Sequence, residues 1–310
     1  LSGVYFNSSV EKVTTMANMF YNCSSLSSVS FKTFNANALT TTANMFNNCT
    51  NLQRIIWRSS YEGGTMVSTP NLTNMKGMFN NCSQLATLDL SEFTTTKVTD
   101  MSYMFNGCKQ LPTNVPSQIK TDKVTTMQYM FYGCEGLSTV DVSQFSTNNV
   151  TTTEGMFSSC KNLRSINLGA FKLTKMTNMS YMFSGCTSLE SLEIKGQGAN
   201  LTNMKAMFWC CSSLTELKMK NLKTANVTDM EMMLGYCSNL TSWTIGSDFV
   251  TTNVTKKNDV FVGITSRSLV VHCKQSNVSH VDALGFTRTV GYYDYPMEKA
   301  KSSYSLKNLK

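Results

Sequence analysis

The chain has 310 residues, of which 41% are hydrophobic and only 15% are charged, and its formal charge is +8. This composition allows a sizeable core, and the modest positive charge does not by itself indicate nucleic-acid binding. The sequence lacks an initiator Met, a signal peptide and an apolar run of transmembrane length, so we expect an excised or mature piece of a protein.

Nine cysteines, which we call the ladder cysteines, recur along most of the chain, one in each copy of a repeat. Six of the eight gaps between them are 26 residues long, one is 33 and one is 25. A fixed period in this range is typical of a solenoid, in which each copy forms one coil. The ladder cysteines are Cys23, Cys49, Cys82, Cys108, Cys134, Cys160, Cys186, Cys211 and Cys237.

The residues before each ladder cysteine predict a short α-helix. Met stands four residues before the cysteine in every copy, Phe three before it in eight copies, and a second Met seven before it in seven copies. These positions, with the cysteine itself, form one face of an α-helix. Every copy has Thr nine residues before the cysteine, followed by Thr, Asn or Asp, and such residues cap helix starts.

The residues after each ladder cysteine predict a short β-strand. Leu stands three residues after the cysteine in every copy, and apolar residues then alternate with polar ones, as in Leu192, Glu193 and Ile194. This alternation indicates a strand with one buried face. Stacked strands lie about 4.8 Å apart, whereas packed helices need about 8–10 Å, so the mismatch should curve the solenoid with its sheet on the concave side.

The full pattern is Val-Thr-[Asp/Asn/Thr]-Met-x-x-Met-Phe-x-x-Cys-x-x-Leu-x-x-Leu-x-Leu, and it covers roughly residues 13 to 250. It resembles the BspA-like leucine-rich repeat of bacterial surface proteins. The resemblance implies a secreted or cell-surface protein associated with adhesion or host interaction, without catalytic residues, and it does not supply the ligand.

The predicted fold is an α/β repeat solenoid. We expect a leucine-rich-repeat-like, right-handed coil of about nine repeats, with a parallel sheet on the concave face and short helices on the convex face. The solenoid is expected to occupy residues 1–253 and a C-terminal cap residues 254–296, with residues 297–310 forming a flexible tail.

The regular cysteines raise the alternatives of metal binding, disulfides and architecture. A zinc site needs ligands that converge from several directions, whereas these thiols recur once per coil and point the same way. Adjacent ladder thiols are expected to exceed the roughly 7 Å limit between Cα atoms for a disulfide. We therefore predict small buried hydrophobes, with no metal and no cofactor. A bond between Cys210 and Cys273, which lie outside the ladder, stays open.

Strand positions five, seven and nine residues after the ladder cysteine are the usual binding face of such solenoids. A basic cluster of Lys32, Arg54 and Arg58 is suited to a sulfated glycan or an acidic protein segment, and it is equally a solvated edge. The insertion at residues 58–70, with an aromatic tip, is a second candidate binding element or a tolerated insertion. The candidate ligand-binding residues are Lys32, Arg54, Arg58, Tyr61, Asp89 and Asp141; further charges are Glu193, Lys195, Glu216, Lys218 and Lys220.

No catalytic motif stands out, and both histidines, His272 and His280, fall in the predicted cap, so we predict that the chain is not an enzyme. The main hypothesis is a non-catalytic cell-surface adhesion module that recognises a host or neighbouring-cell protein or glycan through the solenoid surface. The alternative is a structural spacer that displays another domain. Neither hypothesis involves nucleic acid, and the membrane is contacted only through an anchor that this chain does not contain.

Overall fold

Short parallel β-strands lie side by side along one face of a stack of coils. The structure, a computed structural model, describes residues 2–6, 10–31, 34–57, 67–91, 93–114, 116–169, 171–264, 268–287 and 289–294. Its strands are β1 (Gly3–Phe6), β2 (Ser28–Phe31), β3 (Arg54–Ile56), β4 (Thr139–Asp141), β5 (Ser165–Asn167), β6 (Ser191–Glu193), β7 (Glu216–Met219), β8 (Ser242–Ile245), β9 (Leu269–His272) and β10 (Gly291–Asp294). Within the same residues there is one α-helix, α1 (Val278–Asp282), and there are 3-10 turns at Pro116–Gln118 and Gln275–Asn277.

The parallel sheet is predicted correctly, and it is interrupted in the middle of the stack. Strands β1 to β3, β4 and β5, and β6 to β10 form three sheets in which each strand pairs with its neighbours in sequence. The described residues of the third and fourth repeats contain no strand, and a single bridge joins Arg54 to Thr87. Pro112 and Pro116 lie in the fourth repeat and cannot donate a ladder hydrogen bond, which accounts for the break there. A second break separates β5 from β6.

The predicted short helices are wrong: the segments before the ladder cysteines are runs of turns in the described residues. In the first repeat, the N–H groups of Tyr21 and Cys23 donate to carbonyls three residues earlier, but the Phe20 N–H between them donates to Met45 in the next repeat at 2.8 Å. Asn18 and Asn22 have φ of 59° and 61°, a left-handed conformation that breaks an α-helix. These alternating turns return side chains to the core every three or four residues, and the sequence pattern therefore imitates a helix.

Both faces of the stack are held at the spacing of backbone hydrogen bonds. On the turn face, by which we mean the residues one to nine positions before each ladder cysteine, parallel bridges run through every described coil, from Thr15–Thr41 to Asp229–Lys256. The stacked rings at the Phe position, from Phe20 to Phe208, have centroids 5.2–5.8 Å apart. The wider helix spacing that predicted a curved solenoid is therefore absent, and that reason for curvature was wrong.

The threonines predicted as helix caps instead tie neighbouring coils together. The N–H and the hydroxyl of Thr125 both donate to the carbonyl of Thr99, at 2.9 and 3.1 Å. The same hydroxyl-to-carbonyl bond recurs between successive threonines from Thr14 to Thr255. Each threonine thus stabilises the stack rather than a local helix.

The coil pattern continues beyond the last ladder cysteine. Asp259 and Gly263 have left-handed φ at the same spacing as in the other coils, and Ile264 takes the place of the cysteine. We number coils one to nine by their ladder cysteines and coil ten by Ile264. Strands β9 and β10 extend the sheet, and Phe286 packs edge-on against Phe261 of coil ten at 5.5 Å. No helix in the described ranges is long and apolar enough to cross a bilayer.

Replacing Phe131 with Ala should lower the free energy of unfolding by about 3–5 kcal/mol. Its ring is fully buried and stacks on Phe105 and Phe157. Urea unfolding followed by circular dichroism measures the change. Tyr132→Ala, at the exposed neighbouring position, is the matched control and should cost less than about 1 kcal/mol. An equally small loss for Phe131→Ala would show that the ring stack does not hold the coils together.

Candidate functional site

The candidate site is the strand face, the set of exposed or half-exposed side chains on β1 to β10 and on the described residues up to two positions after each strand. Along each strand the buried side chains enter the core and the alternate ones face solvent, as in the pattern of β7 and β8. Parallel register places equivalent side chains of neighbouring coils opposite one another, so they form fixed rows across the sheet.

One row crosses the whole five-stranded sheet. The register aligns Glu193 with Lys218, Lys218 with Thr244, Thr244 with His272, and His272 with Asp294. The His272 Nδ1 atom lies 2.9 Å from Asp294 Oδ2. The result is a polar row on a surface that the sheet backbone holds rigid.

Further charges flank this row. Lys218 Nζ lies 2.8 Å from Glu216 Oε2, and Lys195 Nζ lies 3.9 Å from Glu193 Oε2. Lys220 and Lys274 line an open groove of about 610 Å³ at the C-terminal end of the row. Exposed pairs of this kind are individually worth about 0–1 kcal/mol, so they contribute more to selectivity than to stability.

The candidate ligand-binding residues from the sequence that the structure describes lie on other coils than this row, whereas the further charges Glu193 and Lys218 lie in it. Arg54 is exposed at the start of β3, in coil two, whereas Asp89 and Asp141 are exposed in coils three and five. The structure therefore spreads these three side chains over four coils and does not bring them into one cluster. Lys32, Arg58 and Tyr61 lie outside the described residues, as does most of the insertion.

Asp89 and Asp141 have a local structural role. Asp89 Oδ1 accepts hydrogen bonds from the Ser91 N–H at 2.9 Å and from the Ser91 hydroxyl at 2.7 Å. Asp141 Oδ1 accepts the Ser143 N–H at 2.8 Å. These bonds shape the turn that follows the strand. Hydrogen bonds from Ser143 and Asn167 lower the pKa of Asp141, so it stays ionised.

The ladder cysteines of coils two to nine are buried, as predicted, and their thiols have hydrogen-bond partners, whereas Cys23 at the start of the stack is exposed, contrary to the prediction. In coils two to nine each thiol donates to the carbonyl of the stacked Phe in the preceding coil, at 3.0–3.1 Å; the Cys49 thiol, for example, donates to Phe20. All eleven cysteines are free thiols, including Cys210 and Cys273. Burial raises the pKa of Cys49, Cys160 and Cys237 to about 12. These thiols are therefore protonated and unreactive at neutral pH.

Neither histidine has a metal-like environment. No group of three or more His, Cys, Asp or Glu side chains converges in the described part of the chain. His272 contacts Asp294, and His280 Nδ1 lies 3.2 Å from the N–H of Thr251.

Aromatic side chains form small clusters on the turn face. Tyr103 stacks on Tyr129 at 5.2 Å, and the Tyr129 hydroxyl donates to Glu154 at 3.0 Å. Trp209 and Tyr236 meet edge to face at 6.3 Å and are 37% and 49% exposed. They therefore pack against neighbouring coils and still present apolar surface to solvent.

Sequence reasoning missed two features: the row that ends in His272 and Asp294, and a groove between coils six and seven. The row depends on β10, whose sequence carries no repeat pattern. The groove had a visible signal, because coil seven is followed by the single 25-residue gap and lacks the usual Phe eleven residues after its cysteine.

The model of a family described as "Mycoplasma protein of unknown function, DUF285" matches residues 6–65, 73–196 and 194–287. A crystal structure of a T. pallidum leucine-rich repeat protein is similar with a TM-score of 0.36 and 21% identity, covering 59% of this chain and 77% of that one. The TLR13 chain in a complex with the single-stranded RNA ssRNA13 is similar with a TM-score of 0.29 and 14% identity, covering 86% of this chain and 41% of that one. Both similarities are too distant to assign a function. No curated protein sequence matches the chain.

Native alkylation should separate the thiols by burial. Iodoacetamide should modify exposed Cys23 first and half-buried Cys210 more slowly, and the nine buried cysteines only after unfolding. Mass spectrometry of tryptic peptides measures the order. Rapid labelling of any ladder cysteine other than Cys23 in the folded protein would contradict the architectural role.

Stability should fall as the pH rises above about 9. A thiol with pKa 9.0 when unfolded and about 12 when folded favours the folded state fully below pH 9, and this contribution is lost as the pH approaches 12. Replacing Cys160 with Ser should therefore reduce the loss of unfolding free energy between about pH 8 and pH 10 by about 1–2 kcal/mol. Urea unfolding at both pH values measures it, with Cys23→Ser as the exposed control. Identical pH dependence in the wild type and Cys160→Ser would contradict the burial effect.

Proposed function

We propose that this chain, which belongs to the DUF285 family described above, is a non-catalytic module that binds another protein through its strand face. The observation that supports this most directly is the row from Glu193 to Asp294 across β6–β10. It presents acidic, basic and neutral polar groups at fixed spacings on one continuous sheet.

A rigid polar surface of this kind suits selective protein recognition. Binding costs little conformational entropy in the sheet, because coil-to-coil hydrogen bonds already hold the strands in register. Complementary charges select one partner over another and accelerate association more than they add affinity. Exposed Tyr292 on β10 adds an aromatic group at the end of the surface, and aromatic side chains often dominate binding energy.

The repeat pattern favours a more specific form of this function. We propose a BspA-like protein at the cell surface that contacts a host or neighbouring-cell protein or glycan, and whose partner is extracellular. The low charge content and the Ser-, Thr- and Asn-rich exposed positions suit a surface that relies on hydrogen bonding.

A second candidate function is that of a stiff spacer displaying another domain. The observation that favours it is the hydrogen bonding of coils on both faces, which resists bending in either direction. A spacer needs no conserved surface chemistry, so charge variants of the strand face separate the two functions.

A binding screen on immobilised extracellular-matrix proteins and glycans, at two salt concentrations, tests the binding function. We expect a saturable, salt-sensitive interaction. Lys218→Glu with Lys220→Glu on the strand face should weaken it by about tenfold or more. Lys256→Glu with Lys257→Glu, on the turn face, makes the same change in net charge and should alter the dissociation constant by less than about twofold.

Two outcomes would contradict the proposal. Absence of saturable binding across the screen would favour the spacer. Binding that both double variants weaken equally would show that net charge, and not the strand face, attracts the partner. Thermal unfolding of each variant serves as the folding control.

A further inference from the structure

Coils six and seven depart from most other coils at two neighbouring positions. Eleven residues after the ladder cysteine coil seven has exposed Gln197. In six other coils this position holds a buried apolar side chain: Phe34, Phe93, Ile119, Phe145, Phe171 and Leu222. Coil nine has exposed Asp248 there, but its next residue, Phe249, is buried. An apolar group is therefore missing from the core of coil seven.

The second departure breaks a row of hydrogen bonds. Thirteen residues after the cysteine, coils three, four, five and eight have a buried Thr. The Thr147 hydroxyl donates to the Lys172 carbonyl and accepts the Lys172 N–H, both at 2.7 Å. Coil six has Leu173 at this position, and Leu offers no hydroxyl to coil seven. The corresponding N–H in coil seven belongs to Gly198, which is buried and has no hydrogen-bond acceptor among the described residues.

A backbone N–H without an acceptor in a buried residue is unusual in a folded protein and calls for a partner. A groove of about 570 Å³ lies at this point, lined by Gly198 and by the apolar side chains of Phe171 and Leu173. Coil seven approaches coil six closely there, because a Cβ on Gly196 would lie 2.5 Å from Leu173 Cγ. The groove thus combines an apolar floor with a free hydrogen-bond donor.

The charges at the rim define the ligand further. Lys172 and Lys195 are exposed, and they are the charged residues of the groove lining. Lys195 is only loosely paired, since its Nζ lies 3.9 Å from Glu193 Oε2 and both side chains are largely solvated. A carboxylate placed between these ammonium groups and the Gly198 N–H would satisfy all three.

We propose that the groove between coils six and seven binds a peptide group in which an apolar side chain stands beside a carboxylate. The apolar side chain packs on Phe171 and Leu173, and the carboxylate accepts the Gly198 N–H between Lys172 and Lys195. A C-terminal leucine and a glutamate next to leucine share this chemistry. The inference rests on the proposed function in taking the ligand to be part of a protein.

Three short peptides test the chemistry by isothermal titration and by chemical-shift mapping on the full chain. They are acetyl-Gly-Leu with a free carboxylate, acetyl-Gly-Leu amide, and acetyl-Glu-Leu-Gly amide. We expect saturable binding of the free acid in the millimolar range and binding of the neutral amide weaker by about tenfold or more. If the glutamate peptide binds as tightly as the free acid, the groove accepts a side-chain carboxylate. If the glutamate peptide binds more weakly, the groove prefers the carboxylate of a C-terminus.

Variants locate the site. Lys172→Glu with Lys195→Glu should weaken the free acid by about tenfold or more, whereas Lys120→Glu with Lys123→Glu in coil four, an equal charge change, should have less than about a twofold effect. Gln197→Phe restores the apolar residue of the other coils and should abolish binding by filling the groove. Thermal unfolding shows whether Gln197→Phe folds, and the lysine variants carry the test if it does not.

Equal binding of the acid and the neutral amide, no binding of either, or equal effects of the two lysine pairs would overturn the inference. These outcomes are distinct from failure of the proposed function. A partner found in the screen that responds to Lys218 and Lys220 but not to the groove variants would overturn the groove alone. Peptide binding to the groove without any partner in the screen would support the groove and contradict the strand-face assignment.

Discussion

The structure depends on backbone hydrogen bonds that join each coil to the next on the turn face and, between the breaks of the sheet, on the strand face as well. Parallel strands supply these bonds on one side, and runs of turns supply them on the other. The turns alternate between bonds within the coil and bonds to the next coil, so the described residues, of which very few are helical, pair most of their buried polar backbone groups. Side chains that occupy the same position in successive coils consequently lie in contact, and each position becomes a continuous row through the core.

This arrangement explains why the chain uses cysteine in its ladder. The position is fully buried in coils two to nine and faces the carbonyl of a Phe in the preceding coil. A small side chain with a weak donor fits both requirements, because the thiol fills apolar space and still contacts the oxygen. The same thiols are poor nucleophiles, since burial keeps them protonated. Architecture, hydrogen bonding and lack of reactivity thus have one cause.

Features that distinguish one coil from another arise where the sequence departs from the repeat. Most rows of the core tolerate little variation, because a changed side chain meets the same position in two neighbouring coils. Exposed rows are free of that constraint, and the charges of coils seven and eight, together with His272 and Asp294, occupy them. Coils six and seven depart within the core as well, and the departure leaves a groove and an unpaired donor where coils five and six have packed Phe145 and Phe171 and the Thr147–Lys172 hydrogen bond. The strand-face row and the groove are therefore separate features with separate physical origins.

The sequence by itself determined the period, the inward-facing residues, the parallel sheet and the architectural role of the cysteines. A repeat forces equivalent residues into equivalent environments, so periodicity alone identifies the core. The sequence could not distinguish helix from turn before each cysteine, because both return side chains to the core every three or four residues. Only the tertiary structure decided this, since the left-handed residues at Asn18 and Asn22 and the N–H bond from Phe20 to Met45 depend on the neighbouring coil. The same holds for the surface: the rows that join Lys218, His272 and Asp294 exist only through strand register, which brings together residues far apart in the chain.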